Sequence, residues 1–399
     1  MTKKIYNSKA KDNGKTFVSP IRFGSSWGKV DRPFLLIVMV LLIIGIVMMF
    51  SASYAWAISE GYSGTYYAQN QLKFAIIGII AMFFLAHLDY HFLGKKWVAF
   101  ALFGVSLIML ILVLTPLGIS TDGTDIKRWL GIGSFSFQPS EIMKFAIIVL
   151  FAYLISNNQD KMSKFKTGIL PYLLILGVVA VLMMKEPHLS GTLIICAIGV
   201  IIVFVGGARI PHLLGLFGIG IIGIGSIVLY KTAVDGFSYF TKRFSGWLDP
   251  FADIQGDSWQ TCQSLIAIGS GGMFGVGLGE SRQKYMYLPE SKNDFVFAIV
   301  CEELGFIGAV TIVLLFAVFV FRGILISNNA PDKFGALLTI GLVFQIGIQA
   351  FLNIAVVSNL IPNTGISLPF FSYGGTSLVM LLAQMGIVLN VSRQSHIEK

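Results

Sequence analysis

The chain has 399 residues, of which 55% are hydrophobic and only 12% are charged, and its mean hydropathy is +0.78. A soluble domain carries charge on about a quarter of its residues, so this composition excludes an ordinary water-soluble protein and predicts a polytopic membrane protein. The net charge of +9 does not by itself indicate nucleic acid binding, because Lys and Arg also collect in cytoplasmic loops. With only three Cys, no disulfide framework or metal–thiolate site is predicted.

The N-terminal segment 1–33 is polar and rich in Lys and Arg. We expect a disordered basic cytoplasmic tail and not a signal peptide, because the first apolar run is too long and lacks a cleavage pattern. Residues 34–391 are predicted to form an all-α domain of ten transmembrane helices, followed by a cytoplasmic tail at 392–399. The predicted spans are 34–55, 72–88, 97–117, 139–156, 168–184, 190–206, 210–230, 294–321, 334–357 and 369–391.

Lys and Arg also predict the orientation, because cytoplasmic connections carry an excess of them. With the N-terminus in the cytoplasm, the outer connections 56–71 and 358–368 hold no Lys or Arg, whereas the inner connections are basic. An even number of spans returns the C-terminus to the cytoplasm. The sequence therefore predicts that both termini are cytoplasmic and that a large extracellular loop, 231–293, joins helices 7 and 8.

Two outer loops depart from this charge rule. The loop 118–138 contains Lys127 and Arg128, and the loop 231–293 contains six cations, among them Arg243. Long loops cross the membrane regardless of their charge, which is one explanation. The other is an anion site on the outer face, since phosphate is the natural partner of converging Arg and Lys side chains.

The segment 288–305 places three carboxylates at and inside a long apolar run. Asp294 lies at the predicted mouth of a membrane helix, and Glu302 and Glu303 lie about 12 Å further along it. Carboxylates at such depth are kept for a function or by a partner. For Asp294 the alternatives are a reactive group, a structural salt bridge and a helix N-cap, a position at which Asp is common.

A second group of charges opens the fourth span at 138–144. Pro and Ser suit a helix start there, and the i, i+3 spacing puts Glu141 and Lys144 on one face. The two charges either neutralise each other and so lower the cost of insertion, or they form a charged wall of an outward cavity. Arg128 and Trp129, just before this segment, are placed to help bind an anionic head group.

The ninth predicted span carries polar side chains at i, i+4 and i+8, namely Gln345, Gln349 and Asn353. This stripe predicts hydrogen bonds between helices, with a polar cavity wall as the alternative. The following segment 359–377 is interrupted by Pro and Gly, and irregular backbone at membrane depth persists only where protein covers it or where it lines a cavity. It therefore indicates a binding cavity.

Two further features are less specific. Lys185 and Glu186, at the outer end of the fifth span, either pair with each other at the surface or mark the same functional face. The segment GSGGMFGVGLG at 269–279 lacks a preceding strand and a GK[ST] ending, so it indicates a surface turn or a re-entrant segment and not a nucleotide loop. Acids, cations and broken helices thus gather on the outer half. From the residues alone, the chain is a transporter or an enzyme for an anionic amphiphile.

The same residues resemble the SEDS family (shape, elongation, division and sporulation), of the FtsW/RodA/SpoVE type. The similar segments are RW at 128–129, QPSE..K at 138–144, LDP at 248–250, QS.IAIGSGG at 263–272, G.GLG.S.QK..YLPE...DF.FA...EELG at 275–305 and the LP..G..LPFFSYGG.S motif that ends at Ser377. They cover nearly the whole chain after the tail. The segment 283–288 is more similar to the division and sporulation branch. Asn293 departs from the family pattern, in which Thr precedes the Asp.

This resemblance implies a ten-span peptidoglycan glycosyltransferase that polymerises lipid II into glycan strands at the outer face of the plasma membrane, for septal or spore wall synthesis. It implies a class B penicillin-binding protein (a transpeptidase), divisome proteins and membrane lipid as partners, and no nucleic acid. Such a reaction inverts the donor sugar and needs one base, for which Asp294 is the candidate. The candidate substrate-binding residues are Glu141, Lys144, Arg128, Trp129, Arg243, Lys185 and Ser377.

A divalent cation, Mg²⁺ or Mn²⁺, is a candidate cofactor that could stabilise the leaving pyrophosphate with the cations, and no organic cofactor is expected. The rival function is a lipid II flippase, because broken helices and charges within the membrane also suit transport. The enzyme is favoured, since the acids and cations gather on one side and not at the midplane. A purely structural division scaffold would leave the buried acids without a role.

Overall fold

The computed structural model describes residues 28–120, 127–132, 135–186, 188–212, 215, 247–252, 254, 256 and 258–395. Within them the fold is mostly helical, with a small antiparallel sheet of strand order β1-β2-β3. The helices are α1 (Arg32–Ser59), α2 (Tyr66–His87), α3 (Lys96–Val113), α4 (Pro139–Asn157), α5 (Leu170–Lys185), α6 (Leu189–Val205), α7 (Trp259–Ser270), α8 (Val296–Asn328), α9 (Lys333–Val357) and α10 (Gly375–Gln394). The strands are β1 (Gly118–Ile119), β2 (Trp129–Ile132) and β3 (Phe135–Phe137).

Eight of these helices are long and apolar enough to cross a membrane, and the shorter α6 is also apolar. The first, α1, begins at a polar N-cap, where the Asp31 carboxylate accepts a hydrogen bond from Phe34 N at 2.9 Å. Its 28 residues extend about 42 Å, which exceeds the hydrocarbon thickness of about 30 Å. The chain is therefore a multi-pass membrane protein whose helix ends reach the polar interfaces.

The helices pack through small residues, as expected where no water drives helix association. The most extensive contact joins α2 and α10. There a Cβ on Gly386 would meet the Met82 carbonyl oxygen at 2.3 Å, so the two backbones touch. Gly45 on α1 likewise approaches the backbone of Phe370. These close approaches hold the irregular segment 359–374 against the helices and shape the cavity described below.

A break at Gly305 divides α8 into two parts. Gly305 has φ 66° and ψ −168°, a conformation open in practice only to Gly. The break leaves backbone groups of α8 without partners inside the helix. The Gly-rich segment 269–279 forms hydrogen bonds with them, so this segment is a turn that bridges the break. The bonds are Val276 N to Glu302 O (3.0 Å), Gly277 N to Glu303 O (3.1 Å), Phe306 N to Gly272 O (2.9 Å) and Ile307 N to Met273 O (3.2 Å).

Nine of the ten predicted spans correspond to helices, and most of the predicted seventh span, 210–230, lies outside the described residues. Several boundaries were wrong: α2 begins at Tyr66 and not at 72, and α8 ends at Asn328 and not at 321. The last helix begins at Gly375 and not at 369, because 369–374 belongs to the irregular segment. The loop 118–138 contains the three short strands, so the all-α prediction needs this addition.

Candidate active site

Asp294 is half-buried and lies two residues before α8. The N-cap of that helix is Phe295, so the prediction that Asp294 is well placed as the N-cap was wrong. The reason is a turn just upstream: Glu290 O accepts hydrogen bonds from Asn293 N (2.9 Å) and Phe295 N (3.2 Å), which delays the helix. Asp294 therefore lies ahead of the helix and not at its N-cap position.

The backbone of the irregular segment approaches the Asp294 carboxylate. Gly365 has φ +66°, and a Cβ built on it would lie 3.1 Å from Asp294 Oδ2. Ser190, at the start of α6, donates a hydrogen bond to Gly365 O at 3.3 Å. The backbone of segment 359–374 thus lies beside the carboxylate at Gly365, and α6 contacts the same glycine.

Three successive carbonyls leading to α8 are each held by a different donor. Tyr373 N donates to Lys292 O (2.9 Å), Ser372 Oγ donates to Asn293 O (2.6 Å), and Asn353 Nδ2 donates to Asp294 O (2.6 Å). These bonds dock the Asp294 segment onto α9 and onto the approach to α10.

The Glu141–Lys144 pair predicted from spacing is present, with Lys144 Nζ 2.7 Å from Glu141 Oε1. Lys144 is buried and also donates to Gln349 Oε1 at 3.2 Å. Gln349 Nε2 in turn donates to the carbonyl and hydroxyl of Ser367, both at 3.1 Å. A continuous polar chain therefore runs from α4 across α9 to the irregular segment.

A small open cavity lies between α4, α9 and α10, and its wall includes the predicted residues Glu141 and Ser377. The polar stripe on α9 both forms hydrogen bonds between segments and lines a cavity. Gln349 and Asn353 bond other segments, and Gln345 and Gln349 line the cavity. The other lining residues are Ile346, Ser367, Leu368, Pro369, Phe370, Ser372, Tyr373, Gly374, Leu378, Leu381 and Gln384.

Arg128 and Trp129 lie at the start of β2, with the Arg128 amide bonded to Ile119 O at 3.4 Å. Their surroundings are positively charged. Burial, followed by the charges of Arg128 and Lys144, lowers the pKa of His188 to about 3. Burial raises the pKa of Glu186 to about 7, although Arg128 opposes this shift. Arg128 thus acts on both Glu186 and His188 of the α5–α6 connection, and Lys144 acts on His188.

Two predicted substrate-binding residues are not brought into this group. Lys185 is exposed at the end of α5, whereas Glu186 is buried, so the expected surface couple does not form among the described residues. Arg243 lies outside the described residues.

Glu302 and Glu303 are each held by partners and have a structural role. Glu302 accepts hydrogen bonds from Ser281 Oγ (2.5 Å) and from Arg282 N (2.9 Å). Glu303 Oε1 lies 3.0 Å from Lys284 Nζ and accepts from Ser51 Oγ of α1 at 2.6 Å. Both carboxylates are buried and tie the loop before α8 to the helices.

The comparisons with known proteins agree with this arrangement. The family model for FtsW, RodA and SpoVE, described as "Cell cycle protein", matches residues 32–397. The chain belongs to this family. Stage V sporulation protein E of Bacillus subtilis is 43% identical over 92% of this chain and 97% of its own length. The "Probable peptidoglycan glycosyltransferase FtsW" of a Geobacter species is 38% identical over 91% of this chain and 96% of its own.

Among solved structures, one chain of a peptidoglycan synthase complex superposes on this chain with a TM-score of 0.76. That complex is described as coordinating polymerization and crosslinking. It is 25% identical and covers 92% of this chain and 99% of its own. The resemblance drawn from the motifs is thereby confirmed, and this member shares the fold of an FtsW/RodA/SpoVE protein over nearly its full length.

The described residues of this family member do not fit a metal site built by the protein alone. They contain no group of three or more His, Cys, Asp and Glu side chains arranged to hold an ion. Glu141, the acid among the candidate substrate-binding residues, is already paired with Lys144. No step below therefore passes through a metal.

Sequence reasoning missed two contributors to the site. Ser372 was read only as part of a motif, and Lys284 only as one cation of an outer loop. The signal for Lys284 was present, since a buried carboxylate requires a partner. The sequence carries no such signal for Ser372, because its partner Asn293 is remote in the chain.

Proposed function

We propose that this chain is a peptidoglycan glycosyltransferase that polymerises lipid II, with Asp294 as the general base. One observation carries the proposal: the polar stripe of α9 bonds both candidate groups on successive turns. Gln349 accepts from Lys144, and Asn353 donates to Asp294 O. Four residues of helix separate these contacts, about 6 Å along the axis. The backbone of Asp294 and a buried cation are therefore held on neighbouring turns of one helix, an arrangement that suits a reaction in which a hydroxyl attacks beside a leaving anion.

The proposed orientation puts the Asp294 end of the bundle outside the cell and the Arg322 end in the cytoplasm. At the Arg322 end, Arg322 Nη2 lies 2.6 Å from Asp31 Oδ2, next to the basic N-terminal segment. The excess of Lys and Arg in the connections at that end supports this choice. The ten-span count and the extracellular loop 231–293 remain part of the proposal.

In the proposed reaction the 4-hydroxyl of the acceptor GlcNAc attacks C1 of the donor MurNAc. Asp294 accepts the hydroxyl proton as the new O–C1 bond forms. The bond from C1 to the pyrophosphate oxygen breaks, and its electron pair leaves with the lipid pyrophosphate. Attack opposite the α-linked leaving group gives a β-1,4 linkage, so the configuration at C1 inverts. The leaving group needs no proton, and its growing charge requires positive groups nearby.

Lys144 and Arg128 are the proposed partners of the pyrophosphate. Their combined effect on His188 supports a positive field at this position. Glu141 holds Lys144 in place by the 2.7 Å ion pair until the diphosphate arrives. Trp129 and Ser377 are proposed to contact the sugar or peptide portions of the substrate. Lys185, exposed at the edge, and Arg243 in the outer loop keep supporting roles in binding.

The proposed partner is a class B penicillin-binding protein at a site of cell wall synthesis in the plasma membrane. The similarity to a chain of a peptidoglycan synthase complex supports a polymerase that works beside a crosslinking enzyme. The similarity to FtsW proteins and to a sporulation protein supports a role in septal or spore wall synthesis with divisome proteins.

The test supplies lipid II to the purified protein in detergent, with and without the partner transpeptidase. Transport has no meaning in detergent, so glycan strands on a gel are expected only from a polymerase. Strands should form with the partner and disappear in an Asp294→Ala variant of equal folded yield. No strands from the wild-type protein, even with its partner, would instead favour the flippase.

A further inference from the structure

We propose that Asn353 and Ser372 are positioning residues for Asp294, holding its backbone so that the carboxylate meets the acceptor hydroxyl. This inference rests on the proposed function, in which Asp294 is the base. It concerns how the base is held, and it assigns roles to two side chains that touch neither sugar nor phosphate in that scheme.

Asn353 is fully buried on α9, and its amide nitrogen bridges two segments. It donates to Asp294 O at 2.6 Å and to Ile366 O at 2.5 Å. A primary amide has two N–H donors, so both are used. Ile366 directly follows Gly365, whose backbone approaches Asp294 Oδ2. Asn353 therefore fixes the spacing between the carboxylate and the backbone that encloses it.

Ser372 adds a second contact one peptide earlier. Its hydroxyl donates to Asn293 O at 2.6 Å and accepts from Leu368 N at 2.7 Å, so its donor has a fixed direction. Together with Asn353 it holds the two peptide units on either side of Asp294. The third contact, from Tyr373 N to Lys292 O, is between backbones and would survive a side-chain substitution.

A general base acts only within hydrogen-bond reach of its proton, about 2.6–3.2 Å. A displacement of about 1 Å can reduce a rate about 100-fold. Asp294 precedes α8, so contacts from other segments help to hold the backbone that carries its carboxylate. Asn353 and Ser372 supply two of these contacts.

The experiment uses two substitutions with matched controls at the opposite end of the bundle. Asn353→Leu and Ser372→Ala remove the donors, and Ser372→Thr keeps the hydroxyl. Asn390 is also fully buried, donating to Ala86 O at 3.0 Å and accepting from Tyr90 N at 3.1 Å. Ser392 accepts from Asp31 N at 3.1 Å and donates to Leu389 O at 2.7 Å. Asn390→Leu and Ser392→Ala therefore remove comparable bonds far from Asp294.

The purified full-length variants, each with the partner transpeptidase, are assayed for lipid II polymerisation in detergent. We expect Asn353→Leu to lower kcat about 100-fold with little change in KM, and to move the pH profile of the base. Ser372→Ala should lower kcat less, and Ser372→Thr should restore it. The two control variants should keep the kcat, KM and pH profile of the wild type per folded molecule.

A wild-type kcat in both Asn353→Leu and Ser372→Ala would overturn the inference. So would an equal loss in Asn390→Leu, because the effect would then be general destabilisation. If Asn353→Leu does not fold, the comparison of Ser372→Ala with Ser372→Thr decides alone. Asp294→Asn is assayed in parallel. An active Asp294→Asn refutes the proposed function. An inactive Asp294→Asn together with fully active Asn353→Leu and Ser372→Ala refutes only the positioning role.

Discussion

Lys284 Nζ lies 3.0 Å from Glu303 Oε1, and the two side chains are 3% and 0% exposed. The same ammonium group donates to Ser51 Oγ at 3.0 Å and to the carbonyl of Gly279. This contact joins the loop before α8, α8 itself and α1. It therefore holds the segment that carries Asp294 against the helix bundle.

Removing one member of this pair should be far more harmful than removing both. Lys284→Met leaves Glu303 buried without its cation, and breaking a buried pair costs about 3–5 kcal/mol. Combining it with Glu303→Leu removes both charges and should recover much of the lost stability. The free energy of unfolding in detergent, measured for the single and double variants, checks this. A double variant no more stable than Lys284→Met would contradict it.

Gly305→Ala should destabilise the protein strongly. A Cβ there would lie 2.2 Å from Gly275 N, and φ +66° with ψ −168° costs other residues about 1–3 kcal/mol. Gly177 on α5 is the control, because a Cβ at that position meets nothing within 4 Å. Gly177→Ala should be neutral or stabilising by up to about 1 kcal/mol. Thermal unfolding followed by size exclusion separates the two, and equal unfolding temperatures would show that the break needs no glycine.

Lys144→Met should lower kcat about 100-fold or more, because it removes the buried cation proposed to stabilise the developing pyrophosphate charge. Glu141→Gln should be milder, since Gln349 still accepts from Lys144 at 3.2 Å. Lys96→Met, which removes an exposed cation at the start of α3, serves as the control. Steady-state polymerisation kinetics provide the comparison. Equal kcat values for Lys144→Met and Lys96→Met would contradict the proposed role of Lys144 at the pyrophosphate.

His91 should make stability depend on pH. Its Nδ1 lies 2.6 Å from Asp89 Oδ1 and its Nε2 3.8 Å from Asp332 Oδ2, across two connections of the bundle. The hydrogen bond to Asp89 raises the pKa of His91, despite partial burial, and the charges of Asp89 and Asp332 raise it further. The folded state thus favours the protonated ring. Its contribution is complete below the ordinary pKa of His and is lost as the pH rises through the raised value.

The measurement for His91 compares unfolding temperatures of the wild type and His91→Gln over a pH series. The wild type should be more stable at acidic pH, and the difference should shrink toward alkaline pH. His87, at the end of α2 with its Nδ1 2.8 Å from Phe83 O, is the control, because no carboxylate pairs with it among the described residues. If the difference in unfolding temperature between the wild type and His91→Gln did not change with pH, the protonated ring of His91 would contribute nothing to stability.

The features predicted correctly from the sequence were those set by local spacing. Glu141 and Lys144 pair because three residues of helix bring them to one face, and the stripe from Gln345 to Asn353 follows from the same geometry. The irregular segment 359–374 was readable from its Pro and Gly. Composition and apolar runs gave the membrane fold.

The features that were missed depend on contacts between remote segments. Gly305 breaks α8 because the segment 269–279 satisfies the freed backbone groups by hydrogen bonds. An apolar run in the sequence does not reveal such a bridging turn. Asp294 fails as an N-cap because a turn at Glu290 delays the helix. The strands of loop 118–138 are too short to show a period of two. Exposure of Lys185 and burial of Glu186 depend on how α5 packs.

The central claim, that Asp294 is the base, is tested most directly by polymerisation of lipid II in detergent by purified Asp294→Asn with its partner transpeptidase. Asn keeps the size of the side chain but accepts no proton, so kcat should fall by at least about 100-fold. The folded yield and the unfolding temperature should match those of the wild type. Glycan strands formed at the wild-type rate by Asp294→Asn would contradict the account.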